Sequence, residues 1–79
     1  MIPTVYLLIS QKDKRSYLGS TNNLQKRLDE HNSGKCNSTR NRRPLKLIYE
    51  EKLETLNEAR IREKYLKSRK GRKELKSIF

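Results

Sequence analysis

Only three stretches of this chain read as β-strand, and their order among the helices leaves few architectures open. Thr4-Val5-Tyr6-Leu7-Leu8-Ile9 is rich in β-formers and bounded by Pro3 and the polar turn Gln11 to Arg15. Ser16-Tyr17-Leu18-Gly19 follows as a second short strand, so the two make an N-terminal hairpin. Pro44-Leu45-Lys46-Leu47-Ile48-Tyr49 is the third, with partial alternation. A first helix over about 23–32, with Asn22 as N-cap and Gln25 three residues on, ends at Ser33-Gly34. A basic polar loop, 35–43, leads to the third strand. Thr55 and Glu58 form a capping box for a second helix that runs to about Arg69 before Gly71 breaks it, and Leu75, Ile78 and Phe79 suggest a last short helix. The order ββαβαα lacks the βαβ repetition of a doubly wound sheet. It predicts a single α+β domain over 1–79, a small three-stranded antiparallel sheet packed with helices.

Such a domain has little apolar material to work with. Of 79 residues 32% are hydrophobic, so stability is expected from one compact layer of apolar contacts. Cys36 is the only cysteine and His31 the only histidine, which excludes a disulfide framework and a structural zinc site. The run Val5 to Ile9 is too short for a signal sequence or a membrane span. A cytoplasmic protein with no membrane partner is expected.

Lys plus Arg outnumber Asp plus Glu by 20 to 9, for a net charge of +11. So strong a positive field on a small body calls for a polyanionic partner, with nucleic acid the default. Residues 1–39 carry a net +3 and 40–79 a net +8, with a knot at Arg40, Arg42 and Arg43. These arginines, the basic residues of 60–76 and in particular Arg60 and Lys67 are the expected phosphate contacts.

Against this basic background one acid stands out. At about 100° per residue, with Ala59 at zero, Glu63 falls near 40°, between Leu56 near 60° and Leu66 near −20°, on the inward stripe of the second helix. An ionisable group on an inward face marks a candidate site. The competing account is an i,i+4 ion pair with Lys67. On the first helix Leu24 and Leu28 point inward, and Arg27 and His31 flank them four residues apart, while Asp29 and Glu30 take the solvent face. His31 could equally serve the last carbonyls of its helix. Ile61 and Tyr65 lie away from the main stripe and are expected to seat the terminal helix. Tyr6 and Tyr17 sit one in each strand of the hairpin, and four of the five aromatics are tyrosines whose phenols need polar partners if buried. Strand parity leaves open whether the two share a face.

Thr4-Val5-Tyr6, then Tyr17-Leu18-Gly19, then Arg27 and His31 on one helix and Glu63 on a later one: this ordered set resembles the GIY-YIG endonuclease superfamily. It looks like the small stand-alone members, and is similar to the amino-terminal nuclease domain of the excinuclease that incises damaged DNA. Thr-Val replaces Gly-Ile in the first tripeptide, Leu replaces Ile in the second, and Ser20 stands where the excision nucleases often carry lysine.

The resemblance implies an endonuclease that hydrolyses DNA phosphodiester bonds, in repair or recombination, with RNA left open as a substrate. It implies Glu63 as the protein ligand of a hydrated Mg²⁺ (or Mn²⁺), Arg27 as the clamp on the scissile phosphate, and Tyr6 as general base ordered by His31 and Tyr17. An unperturbed phenol has a pKa near 10, so Tyr6 would need Arg27 and the metal to lower it. The alternative is a non-catalytic nucleic-acid-binding module of the same fold. A protein-interaction adaptor finds little support, since no exposed apolar stripe remains once the core is assigned.

Overall fold

The computed structural model describes residues 2–37 and 39–78. Along the chain come β1 (Thr4–Ser10), β2 (Ser16–Thr21), α1 (Leu24–Ser33), a single 3-10 turn (Arg40–Arg42), β3 (Leu45–Lys52), α2 (Leu56–Lys67) and α3 (Arg69–Ile78), the expected ββαβαα order. The strands form one antiparallel sheet in the order β2-β1-β3. Among the described residues no helix is long and apolar enough to cross a membrane.

The central place of β1 explains its composition. A strand covered on both faces reads as a continuous apolar run rather than an alternating one, and Val5, Tyr6, Leu7 and Leu8 are all buried. Val5 and Leu7 pack with Ala59, Leu66 and Leu75 from α2 and α3. Tyr6 and Leu8 pack on the opposite side with Leu45, Leu24 and Leu28. The core is therefore two thin layers, one on each side of the sheet, where a single layer was expected. So few apolar residues suffice because β1 contributes to both.

β3 runs three residues past its expected end, and β2 two, because charged and polar residues are acceptable on edge strands whose outer side meets water. A bulge opposite Leu7 and Leu8 accounts for the broken alternation in β3: Leu8 pairs with Leu47 and Leu7 with Tyr49, leaving Ile48 as the extra residue. Leu47 thereby faces α1 while Ile48 and Tyr49 join the α2 side.

The helix ends follow side-chain chemistry with small shifts. Asn23, not Asn22, caps α1, its side chain accepting from the Lys26 N–H at 3.2 Å, and Gly34 closes the helix at φ 86°. Thr55 caps α2 as expected, accepting from the Glu58 N–H at 3.1 Å. The break after α2 falls at Ser68, whose backbone is extended, rather than at Gly71. Gly71 lies inside the first turn of α3, where a Cβ would run into the Tyr65 carbonyl oxygen and the Leu66 backbone. Its missing side chain lets α3 fold back tightly on α2.

Ile61, 61% exposed, does not seat α3, while Tyr65, 41% exposed, acts on Glu74 of that helix; the apolar docking is through Leu75 against the Leu66 layer. Arg62 does the tying, with Nε 3.0 Å from Glu51 on β3 and Nη2 2.8 Å from Glu74 on α3. Phe79, expected to end the last helix, lies outside the described residues.

Gly71→Ala is expected to lower the unfolding free energy by about 1–3 kcal/mol, the usual cost of forcing atoms into filled space. At an open helical site the same change would raise stability by up to about 1 kcal/mol. The sign in a urea titration therefore tests the close approach of α2 and α3.

Candidate active site

β1 and β2 pair so that Tyr6 faces Gly19 and Leu8 faces Tyr17. Tyr6 and Tyr17 consequently share a face, the one toward α1. The Tyr6 ring lies across the neighbouring strand: a Cβ on Gly19 would sit 2.5 Å from the phenol oxygen and 2.7 Å from Cζ. Glycine at 19 leaves the space in which that hydroxyl packs over β2.

There it meets His31, which is fully buried at the end of α1. Its Nε2 is 3.1 Å from the Tyr6 hydroxyl, and its Nδ1 is 2.8 Å from the hydroxyl of buried Thr39. Gly34 rather than the imidazole caps the helix. Tyr17 stacks edge-on against His31, with ring centroids 4.9 Å apart. Arg27, one turn earlier on α1, lies near enough to the Tyr6 hydroxyl for its positive charge to pull on the phenol. A guanidinium can only donate, so toward Arg27 the phenol oxygen acts as acceptor, an arrangement that favours its proton on the His31 Nε2 side. By the same inventory, His31 carries its proton on Nδ1 and donates to Thr39.

Burial pushes the Tyr6 phenol up to about 12, against the opposing pull of Arg27. Burial, then the positive charge of Arg27, lowers the imidazole of His31 below its ordinary 6.5. At neutral pH the pair is therefore a protonated phenol and a neutral imidazole. The protein alone moves Tyr6 in the direction opposite to that expected from the sequence. Arg27 is held above its ordinary value first by the Tyr6 hydroxyl, with Glu30 adding to it. Glu30, expected on the solvent face, turns to Arg27 at 3.2 Å.

Glu63 comes from the other side of the sheet. Ser20 neighbours Gly19 in β2 but points to the α2 face, and its hydroxyl donates to Glu63 Oε1 at 2.6 Å. Lys67 donates to Oε2 at 2.7 Å. Inward placement and the i,i+4 pair thus coexist. The Glu63 side chain is 21% exposed and that of Lys67 56%. Among the described residues no three His, Cys, Asp or Glu side chains cluster for a metal. A lone carboxylate, with one oxygen fixed by a hydroxyl and the other held by a solvent-exposed ammonium, fits a hard dication that keeps most of its water, as Mg²⁺ does.

Arg27 from the first group and Ser20 from the second line one polar cavity of about 300 Å³, together with Lys26, Glu30 and Arg60, while Tyr6, His31 and Glu63 stand behind its wall. The structure brings Tyr6, Tyr17, Arg27 and His31 together, and Ser20 links Glu63 to the same cavity. Ser20 and Thr39 were not singled out as partners from sequence. A serine beside the glycine could have been suspected; nothing in the loop marks Thr39.

The arginine knot is tied into the fold. Arg40 donates to the Gly34 carbonyl at 3.0 Å and to Asn37 at 2.9 Å, and Arg43 to the Arg40 carbonyl at 2.9 Å. Arg42 reaches the Ser16 carbonyl at 3.4 Å, and its buried Nε lies 3.4 Å from Asp13 without hydrogen-bond alignment.

A family model described as the GIY-YIG catalytic domain matches residues 2–76. A UPF0213 protein of Clostridium perfringens is 49% identical over 65 residues, covering 80% of this chain and 68% of its own. A UPF0213 protein of Syntrophus aciditrophicus is 41% identical over 76 residues, 94% of this chain and 86% of its own. The UPF0213 protein YazA of Bacillus subtilis is 41% identical over 63 residues, 78% of this chain and 64% of its own. No solved structure matches. With its three-stranded sheet and the Tyr6, Gly19, Arg27 and Glu63 constellation, the chain belongs to the GIY-YIG family, a nuclease family whose members generally need a divalent metal.

His31 offers a pH test of this geometry. Its folded pKa lies below the unfolded value of about 6.5, so the unfolded chain binds the proton first. Its contribution to stability is complete above that value and is lost as pH falls through it toward the folded pKa. Denaturation from neutral pH to about pH 5 should show this decline, and the ring resonances of this sole histidine should titrate below 6.5.

Proposed function

We propose that this chain is a divalent-metal-dependent endonuclease that hydrolyses phosphodiester bonds of DNA, in repair or recombination and in the cytoplasm. The observation that carries it is the buried hydrogen-bonded line Tyr6–His31–Thr39 beside Arg27, and the Ser20–Glu63 pair, with Arg27 and Ser20 both lining one polar cavity. A module that only bound backbone would have no use for a buried phenol–imidazole pair.

Hydrolysis needs a base for the attacking water, neutralisation of charge on the phosphate, and support for the departing 3′ oxygen. Arg27 lines the cavity and holds the phosphate oxygens with its planar donor fork. Tyr6 takes the proton from the attacking water and passes its own to His31 Nε2 in the same step. This relay removes the need for a free phenolate, which a pKa of about 12 would make too scarce to use. His31 remains available as acceptor because it is neutral, and Thr39 keeps its Nδ1 proton facing away. Tyr17 packs the imidazole in place. Glu63, oriented by Ser20, would hold Mg²⁺ or Mn²⁺, which supplies positive charge for the leaving oxygen. Lys26 and Arg60 on the cavity wall, the remaining donors of Arg40, Arg42 and Arg43, and Lys67 once it leaves Glu63, contact neighbouring phosphates without reading bases.

Nicking of supercoiled DNA should appear with Mg²⁺ or Mn²⁺ and vanish with a chelator. Glu63→Gln should abolish it in a protein that keeps its circular dichroism; full activity in that variant would remove Glu63 from the site.

Arg27→Ala and Tyr6→Phe should each slow single-turnover cleavage by about 10²- to 10⁴-fold, with binding changed far less. Arg27→Lys should not rescue, since a point ammonium lacks the fork. A wild-type rate for Tyr6→Phe would assign the water's proton elsewhere.

A further inference from the structure

We infer that the exposed face of α3 is a docking track for the sugar-phosphate backbone of duplex DNA, outside the catalytic cavity and joined to Glu63 through Lys67. The inference rests on the nuclease assignment above and adds where the duplex lies. Arg69, Arg72, Lys73 and Lys76 recur at i, i+3, i+4 and i+7, so they form one stripe along the helix. Together with Lys67 they are the whole lining of a concavity of about 410 Å³. The only acid of α3, Glu74, points elsewhere and is bound to Arg62, while Leu75 faces the core. Among the described residues none of the four stripe side chains has an ion-pair or hydrogen-bond partner.

Like charges at i,i+4 repel and weaken a helix. A stripe of them with no internal counter-charge is complementary to an external polyanion. This sets α3 apart from Arg40, Arg42 and Arg43, whose guanidinium groups are engaged by carbonyls, Asn37 and Asp13. Seven residues of helix span about 10 Å, long enough to pass consecutive phosphates of one strand, which lie further apart along the backbone than their axial rise of about 3.4 Å. Lys67 touches both places: its ammonium is 2.7 Å from Glu63 Oε2 and it lines the α3 concavity. A backbone laid along α3 therefore arrives at the carboxylate.

The test compares Arg69→Gln/Arg72→Gln/Lys73→Gln/Lys76→Gln with Arg40→Gln/Arg42→Gln/Arg43→Gln in the full chain, by anisotropy of labelled DNA duplexes of unrelated sequence over a range of salt. Log affinity of the wild type should fall linearly with log salt. The α3 variant should flatten that slope by roughly 0.9 per lost phosphate contact, equally on each sequence. The loop variant should change the slope less and lower the melting temperature more. Should the quadruple change unwind α3, Lys73→Gln/Lys76→Gln alone should give about half the flattening. An unchanged slope in a folded α3 variant overturns the track, as does loss of binding only to anionic lipid vesicles or single strands. If wild-type protein binds duplex DNA but none is cut and Glu63→Gln changes nothing, the nuclease assignment fails while the track stands.

Discussion

Tyr6 is at once a core side chain and the centre of the candidate site, and most of the structure follows from that double duty. As the second residue of the apolar run in the central strand, it must be buried to complete the layer beneath α1. That burial makes its hydroxyl reluctant to ionise. The same burial keeps His31 neutral and able to accept. A domain of this size cannot set aside separate residues for packing and for chemistry. It uses a phenol, apolar through most of its surface and polar at one tip, and leaves glycine at position 19 so that the ring can lie across β2 and the tip can meet His31.

The positive charge divides into three groups with different surroundings. Arg40, Arg42 and Arg43 are spent largely on closing the loop that carries Thr39 to His31. Lys26, Arg27 and Arg60 line, with Glu30, the polar cavity beside Ser20. Among the described residues the side chains of the α3 stripe have no ion-pair or hydrogen-bond partner. Net charge alone points to nucleic acid without saying which cations are available to it, since an arginine already holding carbonyls has fewer donors to offer.

Glu63 shows how two readings of one residue can both hold. The helical angles place it on the inward stripe, and the spacing to Lys67 allows an ion pair. Both occur because a carboxylate has two oxygens and the site lies at the edge of β2. One oxygen faces Ser20 on the sheet and the other faces the solvent-exposed ammonium.

Much of the architecture was legible in the sequence. The three strands, the Thr55 cap, the Gly34 terminator and the ββαβαα order are local matters of side-chain period and backbone preference. The ordered tyrosines, Gly19, Arg27, His31 and Glu63 likewise carried the resemblance to the family whose model matches the chain. Other features were decided by tertiary structure, because they depend on residues distant in the chain. The β1–β2 register put Tyr6 and Tyr17 on one face. The β3 bulge turned Tyr49 toward α2. The fold-back after Ser68 made Gly71 a contact rather than a breaker, and exposed Ile61 and Tyr65. The direction of the Tyr6 shift belongs here too: sequence supplies a phenol and an arginine, but only packing determines that desolvation outweighs the nearby charge.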